Sequence, residues 1–527
     1  MADWLPEQLQ AAGIPGAAVA VVRGHDTLWE ETYGHVDRSR SRAIDPETLF
    51  CVRSLSKSVT ALAVLMAVQE GLVDLDEPIA RYLPGFRVHT RFDPRPGDRM
   101  TLRHLLSSRA GLVTEPKYAD RFDPPDYFEK HIRSLSDTWL RFPVGYRFSY
   151  SNAGVDLAGY ILQQRSGVPF AEYIRRKVLA ALGMTASSFD LEAVARRKNR
   201  AIGHYPSGEA AAVRFPEIPS AGLYSNLRDM VRYLRFHLNH GVVGGRRVLR
   251  PDLMQQLHEI AFPMPGQRTG YGLGLYREAV SNTFSLYHPG GGRGYQSLMI
   301  LYPQLGFGVV LLTNRDGHDL TESPGKRVLN DAIRGRLGPN TVAEAGLEGL
   351  RRLEAGDARV QAVLGRYGGA DSYAIEVRDG ILGLSRGAGG FFPLTFFDDA
   401  GQLVGMYGET SELRFLPAYH QVRGPLMLSD RRFSNTNLHY QAFNDSPFDP
   451  PGPDKPEWRR YLGEYQILWL DEPFAEVSVG VRNGYLYYGE RKCVEHLPGL
   501  FFSNDGQAID FRSDPPTAAN LRLRRLR

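Results

Sequence analysis

The sequence predicts a mixed α/β domain that carries the chemistry, followed by two small antiparallel β-barrels. Three observations lead there. Strand-like apolar runs stand at both ends of the first 335 residues with helical segments between them, the chain beyond is β-rich with closely spaced turns, and that later part repeats itself. At 527 residues the chain exceeds one ordinary domain. The divisions fall at 1–335, 336–450 and 451–527.

In the first region a short amphipathic segment, Trp4–Ala12, precedes two strands, Ala17–Arg23 and Thr27–Tyr33. An apolar helix follows at Ser54–Glu70, stopped by Gly71, a common C-terminal signal. Further helices are expected at Leu102–Ser107, Val155–Ser166, Phe170–Leu182 and Asn226–Asn239, and strands return at Ser297–Tyr302 and Gly306–Thr313. Such an order suits one sheet whose first and last strands come from the two ends of the region. Residues 336–350 read as a linker. Beyond it, Leu364-Gly365-Arg366-Tyr367 resembles Leu462-Gly463-Glu464-Tyr465, and Pro393–Gln402 resembles Pro498–Gln507. Closure into two barrels would remove exposed strand edges. The second copy is longer between its landmarks, and the excess falls at Ile467–Phe474, a candidate functional loop. The alternating tail Leu521–Arg527 suits a final edge strand.

Composition narrows the function. A hydrophobic content of 43% supports packed cores, and a net charge of +4 gives no concentrated basic face for nucleic acid. The longest apolar stretch, near Val59–Val68, is about half a membrane span. The N-terminus has no basic flank and is interrupted by Pro15-Gly16, so a cytoplasmic location is the default. Cys51 and Cys493 stand far apart and imply no disulfide framework. Zinc-helix, P-loop, dinucleotide and Gly-x-Ser-x-Gly motifs are absent, so neither metal nor organic cofactor is expected.

Three motifs carry chemistry. Ser54-Leu55-Ser56-Lys57 places a hydroxyl and an amine one helical turn apart. The amine can take the hydroxyl proton only when neutral, a form that burial favours, and the helix N-terminus supplies N–H groups for an oxyanion. Tyr150-Ser151-Asn152 offers a phenol that can relay a proton and an amide that can hold Lys57 and a substrate carbonyl. His288-Pro289-Gly290-Gly291-Gly292 precedes the returning strands; its proline predicts an edge strand, and the N–H groups of Gly291 and Ser54 are candidate oxyanion donors. Each motif alone is weak. Ser323-Pro324-Gly325-Lys326 repeats the first pattern in a turn, and Tyr224-Ser225-Asn226 repeats the second ahead of a helix.

Together, in this order, Ser54-x-x-Lys57, Tyr150-x-Asn152 and His288-x-Gly290 resemble the three active-site motifs of penicillin-binding proteins and class C β-lactamases, and more closely that superfamily's esterases and D-aminopeptidases. The stretches Leu102–Leu112, Leu182–Met184, Ala221–Ser225 and Gly270–Gly274 look like family signposts. The resemblance covers roughly residues 10–335. It implies an antiparallel sheet flanked by helices, Ser54 as nucleophile, Lys57 as its base, Tyr150 as proton relay, and Asn152, His288, Gly290 and Gly291 as substrate or network contacts. The three-domain layout is similar to that of D-stereospecific aminopeptidases, whose last barrel sends a loop to the active site; by that resemblance Asp471 or Glu472 would meet a substrate cation.

The expected function is therefore a serine hydrolase acting through an acyl-enzyme on amides of small peptides or amino acids. An esterase, or a biosynthetic acyl transferase or peptide cyclase of the penicillin-binding-protein thioesterase type, is the alternative, and a binding protein that has lost catalysis is a third reading. The partner is a small-molecule or short-peptide substrate, with no nucleic acid and no membrane; a homodimer is left open. The family's lactamases place a Lys and a hydroxyl where this chain has His288 and Pro289, so β-lactamase activity is expected to be weak or absent.

Overall fold

The runs Ala17–Val22 and Phe307–Leu312 are apolar at nearly every position, which suits strands covered on both faces. In the computed structural model they are interior neighbours in a seven-stranded antiparallel sheet. The structure describes residues 5–117, 126–263, 269–280, 283–318, 351–367, 373–386, 390–399, 402–407, 411–414, 425–429, 440–443, 452, 455–469, 472–482, 484–503 and 506–526. The sheet is built from β1 (Gly16–Arg23), β2 (Asp26–Gly34), β3 (Gly270–Tyr271), β4 (Tyr276–Val280), β5 (Thr283–Gly292), β6 (Tyr295–Tyr302) and β7 (Phe307–Thr313), in spatial order β2-β1-β7-β6-β5-β4-β3. Strands from the two ends of the region thus meet, with Ala17 opposite Thr313 and Arg23 opposite Phe307.

Alternate residues of these strands feed two cores. Ala18, Ala20, Met299 and Val310 face the larger core, while Val19, Val21, Leu298 and Val309 face a smaller one closed by Leu5 and Leu9 of α1 (Leu5–Ala11). Helix α2 (Ser56–Gln69) has no polar side; nearly all of it is buried, so it runs through the larger core. Helix α3 (Asn152–Ser166) begins at Ser151, whose hydroxyl accepts from the Gly154 N–H. Helix α4 (Leu227–Leu238) is amphipathic, is capped by Asn226, and packs on β1 and β7. Both Tyr-Ser-Asn copies therefore cap a helix, the first through its serine and the second through its asparagine.

The expected edge strand needs correction. Strand β5 pairs with β4 over Thr283–Tyr287 and with β6 over Leu286–Gly292, so it has a neighbour on both sides at Leu286–Tyr287 and becomes an edge on the β4 side from His288 onward. Pro289 lies in that unpaired half, where its missing N–H costs no ladder bond on the open side.

In the C-terminal part, the strands from Gly365–Tyr367 to Tyr440–Phe443 follow one continuous antiparallel path, and Arg351–Leu353 adds to Phe396–Asp398. The end strands of that path approach each other without a ladder between them among the described residues. The following eight strands, from Gly463–Trp469 to Leu521–Arg525, close fully. The final Leu-Arg strand is not an edge: it pairs with Tyr465–Leu468 and with Thr517–Ala518, and so completes the barrel. Gly365 and Gly463, equivalent in the repeat, hold nearly the same φ of 146° and 143° at the start of their strands. The expected linker 336–350 and the Ser323–Lys326 turn lie outside the described residues.

The closed barrel rests on the first domain. Arg91 lies 3.9 Å over the Phe502 ring, Trp139 meets Phe502 edge-on at 5.3 Å, and Asn520 Nδ2 donates to the Glu115 carbonyl at 3.1 Å. Among the described residues no helix is long and apolar enough to cross a membrane, and no group of acidic, His or Cys side chains has the arrangement of a metal site.

Candidate active site

Phe50-Cys51 pairs with Tyr224-Ser225, and this short ladder delivers the chain into a tight 3-10 turn, Arg53–Leu55, directly ahead of α2. Ser54 occupies the middle of that turn, partly exposed, while Lys57 in the first turn of α2 is wholly buried. Lys57 Nζ lies 3.1 Å from Ser54 Oγ, and its other partner is the Ser220 carbonyl at 3.0 Å. Tyr150, from the loop leading into α3, places its hydroxyl 3.0 Å from the same Ser54 Oγ, and its ring centroid is 4.9 Å from Nζ. An amine and a phenol separated by 93 positions in sequence thus converge on one oxygen. This geometry lets a proton leave Ser54 toward Lys57 and return toward a leaving group through Tyr150.

The turn is held from beneath. Ser56 Oγ donates to the Arg53 carbonyl and accepts from the Leu223 N–H, and Val52 N–H donates to the Leu223 carbonyl. Ser220, whose carbonyl meets Lys57, has its own N–H on Asp156 Oδ1, and Asp156 Oδ2 meets His131 Nε2 at 2.9 Å. Burial pushes the Asp156 carboxyl up, opposed by the His131 hydrogen bond. This network explains why Ala221–Ser225 belongs beside Ser54 despite the distance in sequence.

The open half of β5 passes alongside. Gly290 is required by close approach: a Cβ there would stand 2.4 Å from the Val52 carbonyl and 2.3 Å from Ser297 Oγ. Gly274, with φ of 73°, similarly lies against the Lys57 carbonyl. Gly291 is exposed beyond this contact, on the stretch of β5 that β4 leaves unpaired. His288 is buried; its Nδ1 lies 2.6 Å from the Pro289 carbonyl, and its Nε2 lies 3.2 Å from the Tyr271 hydroxyl. The carbonyl can only accept, so Nδ1 carries the proton and Tyr271 donates to Nε2. Burial, with Lys57 nearby, lowers the His288 pKa to about 3, so the ring is neutral at physiological pH. It offers no cation to a substrate carboxylate.

Asn152 departs from expectation. Its amide does not reach Lys57; Nδ2 donates instead to Glu217 Oε1 at 3.1 Å and Glu115 Oε1 at 3.2 Å. A single amide thus joins two carboxylates at the start of α3. Glu115 also lines a cavity of about 590 Å³ between the first domain and the closed barrel, shared with Thr114, Lys117, Leu468, Asn520 and Arg522. Thr114 Oγ1 in turn donates to the Tyr150 carbonyl, so the cavity wall and the Tyr150 loop are one piece. Asp471 lies outside the described residues, and of Glu472 only the backbone is described, at the start of a strand. Leu468, just ahead of them, belongs to the cavity. Sequence reasoning missed Glu115, Glu217, Arg53 and Tyr271. Arg53 adjoins Ser54, Glu217 precedes a signpost and Tyr271 lies within one, whereas Glu115 has no local signal.

Fold and site together define a Ser-Lys-Tyr constellation on a penicillin-binding-protein-like scaffold. The chain belongs to the β-lactamase family, whose model, Beta-lactamase, matches residues 1–331; members of this superfamily are typically serine hydrolases. It is 26% identical over 322 residues to Protein flp of Staphylococcus aureus (strain COL), covering 59% of this chain and 61% of that one, so it spans about three fifths of that relative's length. It is 28% identical over 238 residues to Beta-lactamase-like protein 2 of Dictyostelium discoideum, covering 43% of each chain. Among solved structures, the octameric penicillin-binding protein homologue from Pyrococcus abyssi matches with a TM-score of 0.54 and 21% identity, covering 81% of this chain and 97% of that one. SurE matches at 0.52 and 23%, covering 80% and 94%. The class C β-lactamase from Rhodobacter sphaeroides matches at 0.51 and 20%, covering 62% and 97%. At these identities the structural matches show a common fold.

Proposed function

We propose that the protein hydrolyses amide bonds of small peptides or amino-acid amides bearing a free amino group, through an acyl-enzyme on Ser54. The observation that carries this reading is the convergence of Lys57 Nζ and Tyr150 OH on Ser54 Oγ, at 3.1 and 3.0 Å. In its neutral form Lys57 takes the Ser54 proton, Oγ attacks the carbonyl carbon, and the oxyanion is met by the N–H groups of Ser54 and Gly291. Tyr150 passes a proton to the departing amine, and water then resolves the ester. Neutral His288 holds the Tyr271 hydroxyl and the open edge of β5 in place. The carboxylate of Glu115, fixed by Asn152 in the wall of the interdomain cavity, meets the substrate ammonium, with Asp471 or Glu472 as further partners. SurE has been crystallised with D-Leu on the same fold, which supports trying D-configured substrates.

The test is a panel of D- and L-aminoacyl p-nitroanilides, their N-acetyl counterparts and short-chain p-nitrophenyl esters. Wild type should prefer the free amines, and Ser54→Ala should abolish turnover of every substrate. Glu115→Gln should lower kcat/KM on free amines roughly 10- to 100-fold, the worth of a charge-assisted hydrogen bond, and leave N-acetyl substrates unchanged. Equal losses on both sets would remove the role given to Glu115. Turnover of esters alone, or transfer to an added amine in preference to water, would favour the esterase or acyl-transferase alternative built on the same residues. A wild type inert to the whole panel would favour the binding-protein reading.

A further inference from the structure

We infer that Arg53 is a positioning residue that holds the oxyanion edge against the nucleophile, an inference that rests on the acyl-enzyme reading above. Arg53 immediately precedes Ser54 and has φ of 50°, a left-handed conformation that costs a non-glycine residue roughly 1–3 kcal/mol. Its side chain is only 7% exposed, so a cation has been taken out of water beside the active site. What it gains there is modest. Its Nε donates to the Gly291 carbonyl at 3.4 Å, its guanidinium lies 4.8 Å over the Phe215 ring, and Glu217 is 4.0 Å away; Nη1 is buried with no hydrogen-bond partner. Replacing a whole buried ion pair by apolar side chains is often neutral or stabilising, so folding alone gives little reason to place a charge pair here.

The position supplies a reason. Gly290, Gly291 and Gly292 form the open end of β5, and three glycines bring no side chains with which to fix their peptide planes. Arg53 reaches from the nucleophile turn and fixes the Gly291 carbonyl. From the β5–β6 turn, Arg293 approaches the same Phe215 ring at 5.0 Å and the same Glu217 carboxylate at 3.7 Å. Glu217 Oε1 in turn accepts from Asn152 at the start of α3. The nucleophile turn, the glycine edge and α3 are therefore linked through one buried ion cluster, which Arg53 joins to the nucleophile turn. Its contribution is to hold the Gly291 N–H at the distance from Ser54 that a tetrahedral oxyanion requires.

The experiment compares wild type, Arg53→Met, Arg53→Lys and Phe215→Leu. It reads steady-state turnover of p-nitrophenyl acetate, covalent labelling of Ser54 by a fluorophosphonate, and affinity for phenylboronic acid, whose adduct on the serine is tetrahedral. The expected result for Arg53→Met is a kcat lower by about a hundredfold, as for a displaced transition-state contact, with KM within about twofold and boronate affinity falling in step. Arg53→Lys, keeping charge but losing the fork, should recover only part of this, and Phe215→Leu should show a smaller loss of the same kind. Wild-type kcat in Arg53→Met, a loss confined to KM, or a loss of kcat with boronate affinity intact would overturn the inference. If Arg53→Met does not fold, Arg53→Lys and Phe215→Leu decide by the same split. Failure of wild type itself to label at Ser54 would instead overturn the acyl-enzyme reading.

Discussion

Replacing Gly290 by alanine tests whether β5 must lie against the nucleophile turn. A Cβ at this position would meet the Val52 carbonyl at 2.4 Å, whereas ordinary contact begins at 3.4 Å. Val52 O also accepts from Ser297 Oγ at 2.7 Å, so the carbonyl cannot swing away without breaking that bond. The strand must therefore retreat by about 1 Å, a displacement that costs a catalytic constellation about a hundredfold in rate. Overpacking should also lower stability by about 1–3 kcal/mol, a Tm drop of several degrees at most. At Gly291 a Cβ would meet only Gln296 Cγ at 3.9 Å, so Gly291→Ala should leave Tm unchanged. The assay is kcat/KM on p-nitrophenyl acetate with Tm measured in parallel. A Gly290→Ala enzyme with wild-type turnover would refute the claim that this apposition builds the site.

Tyr150→Phe removes the hydroxyl 3.0 Å from Ser54 Oγ while keeping the ring over Lys57, so kcat should fall by roughly 10²- to 10⁴-fold with little change in Tm. His288 makes the protein acid-sensitive: unfolded chains bind its proton below about pH 6.5, but the buried ring does so only near pH 3. Its contribution to stability is fully present above pH 6.5 and is lost as pH falls from there toward 3. Urea midpoints of wild type and His288→Gln should therefore converge across that window and run parallel above it; a constant difference at all pH values would contradict the neutral buried ring. Nitrocefin should be turned over weakly or not at all, since neither His288 nor Pro289 supplies a charge or hydroxyl for the lactam carboxylate; efficient hydrolysis would show another group doing so.

Much of the scaffold was readable because its signals are local. The apolar runs at Ala17–Arg23 and Gly306–Thr313, the helix after Ser54 and the capped helix at Asn226 each declare themselves within a dozen residues. The family likeness of the first 331 residues follows from three motifs in fixed order. Contacts across the fold were not readable. Nothing near Asn152 says that its amide turns to Glu115 and Glu217 in place of Lys57, because those partners arrive from loops 37 and 65 residues away. Proline correctly signalled an unpaired edge at Pro289, but not that the same side of the strand is paired two residues earlier, since pairing with Tyr276–Val280 depends on a strand the sequence barely marks. Likewise the Leu-Arg alternation at the C-terminus looks like an edge until barrel closure supplies its second neighbour.

The central claim is that the oxygen of Ser54 becomes covalently bonded to the substrate's acyl carbon. Intact-protein mass spectrometry after rapid acid quench of a p-nitrophenyl ester reaction measures this directly. One acyl adduct per chain is expected, carried by the peptide containing Ser54, accumulating in wild type and absent from Ser54→Ala. An adduct elsewhere, or steady hydrolysis by Ser54→Ala at the wild-type rate, would contradict it.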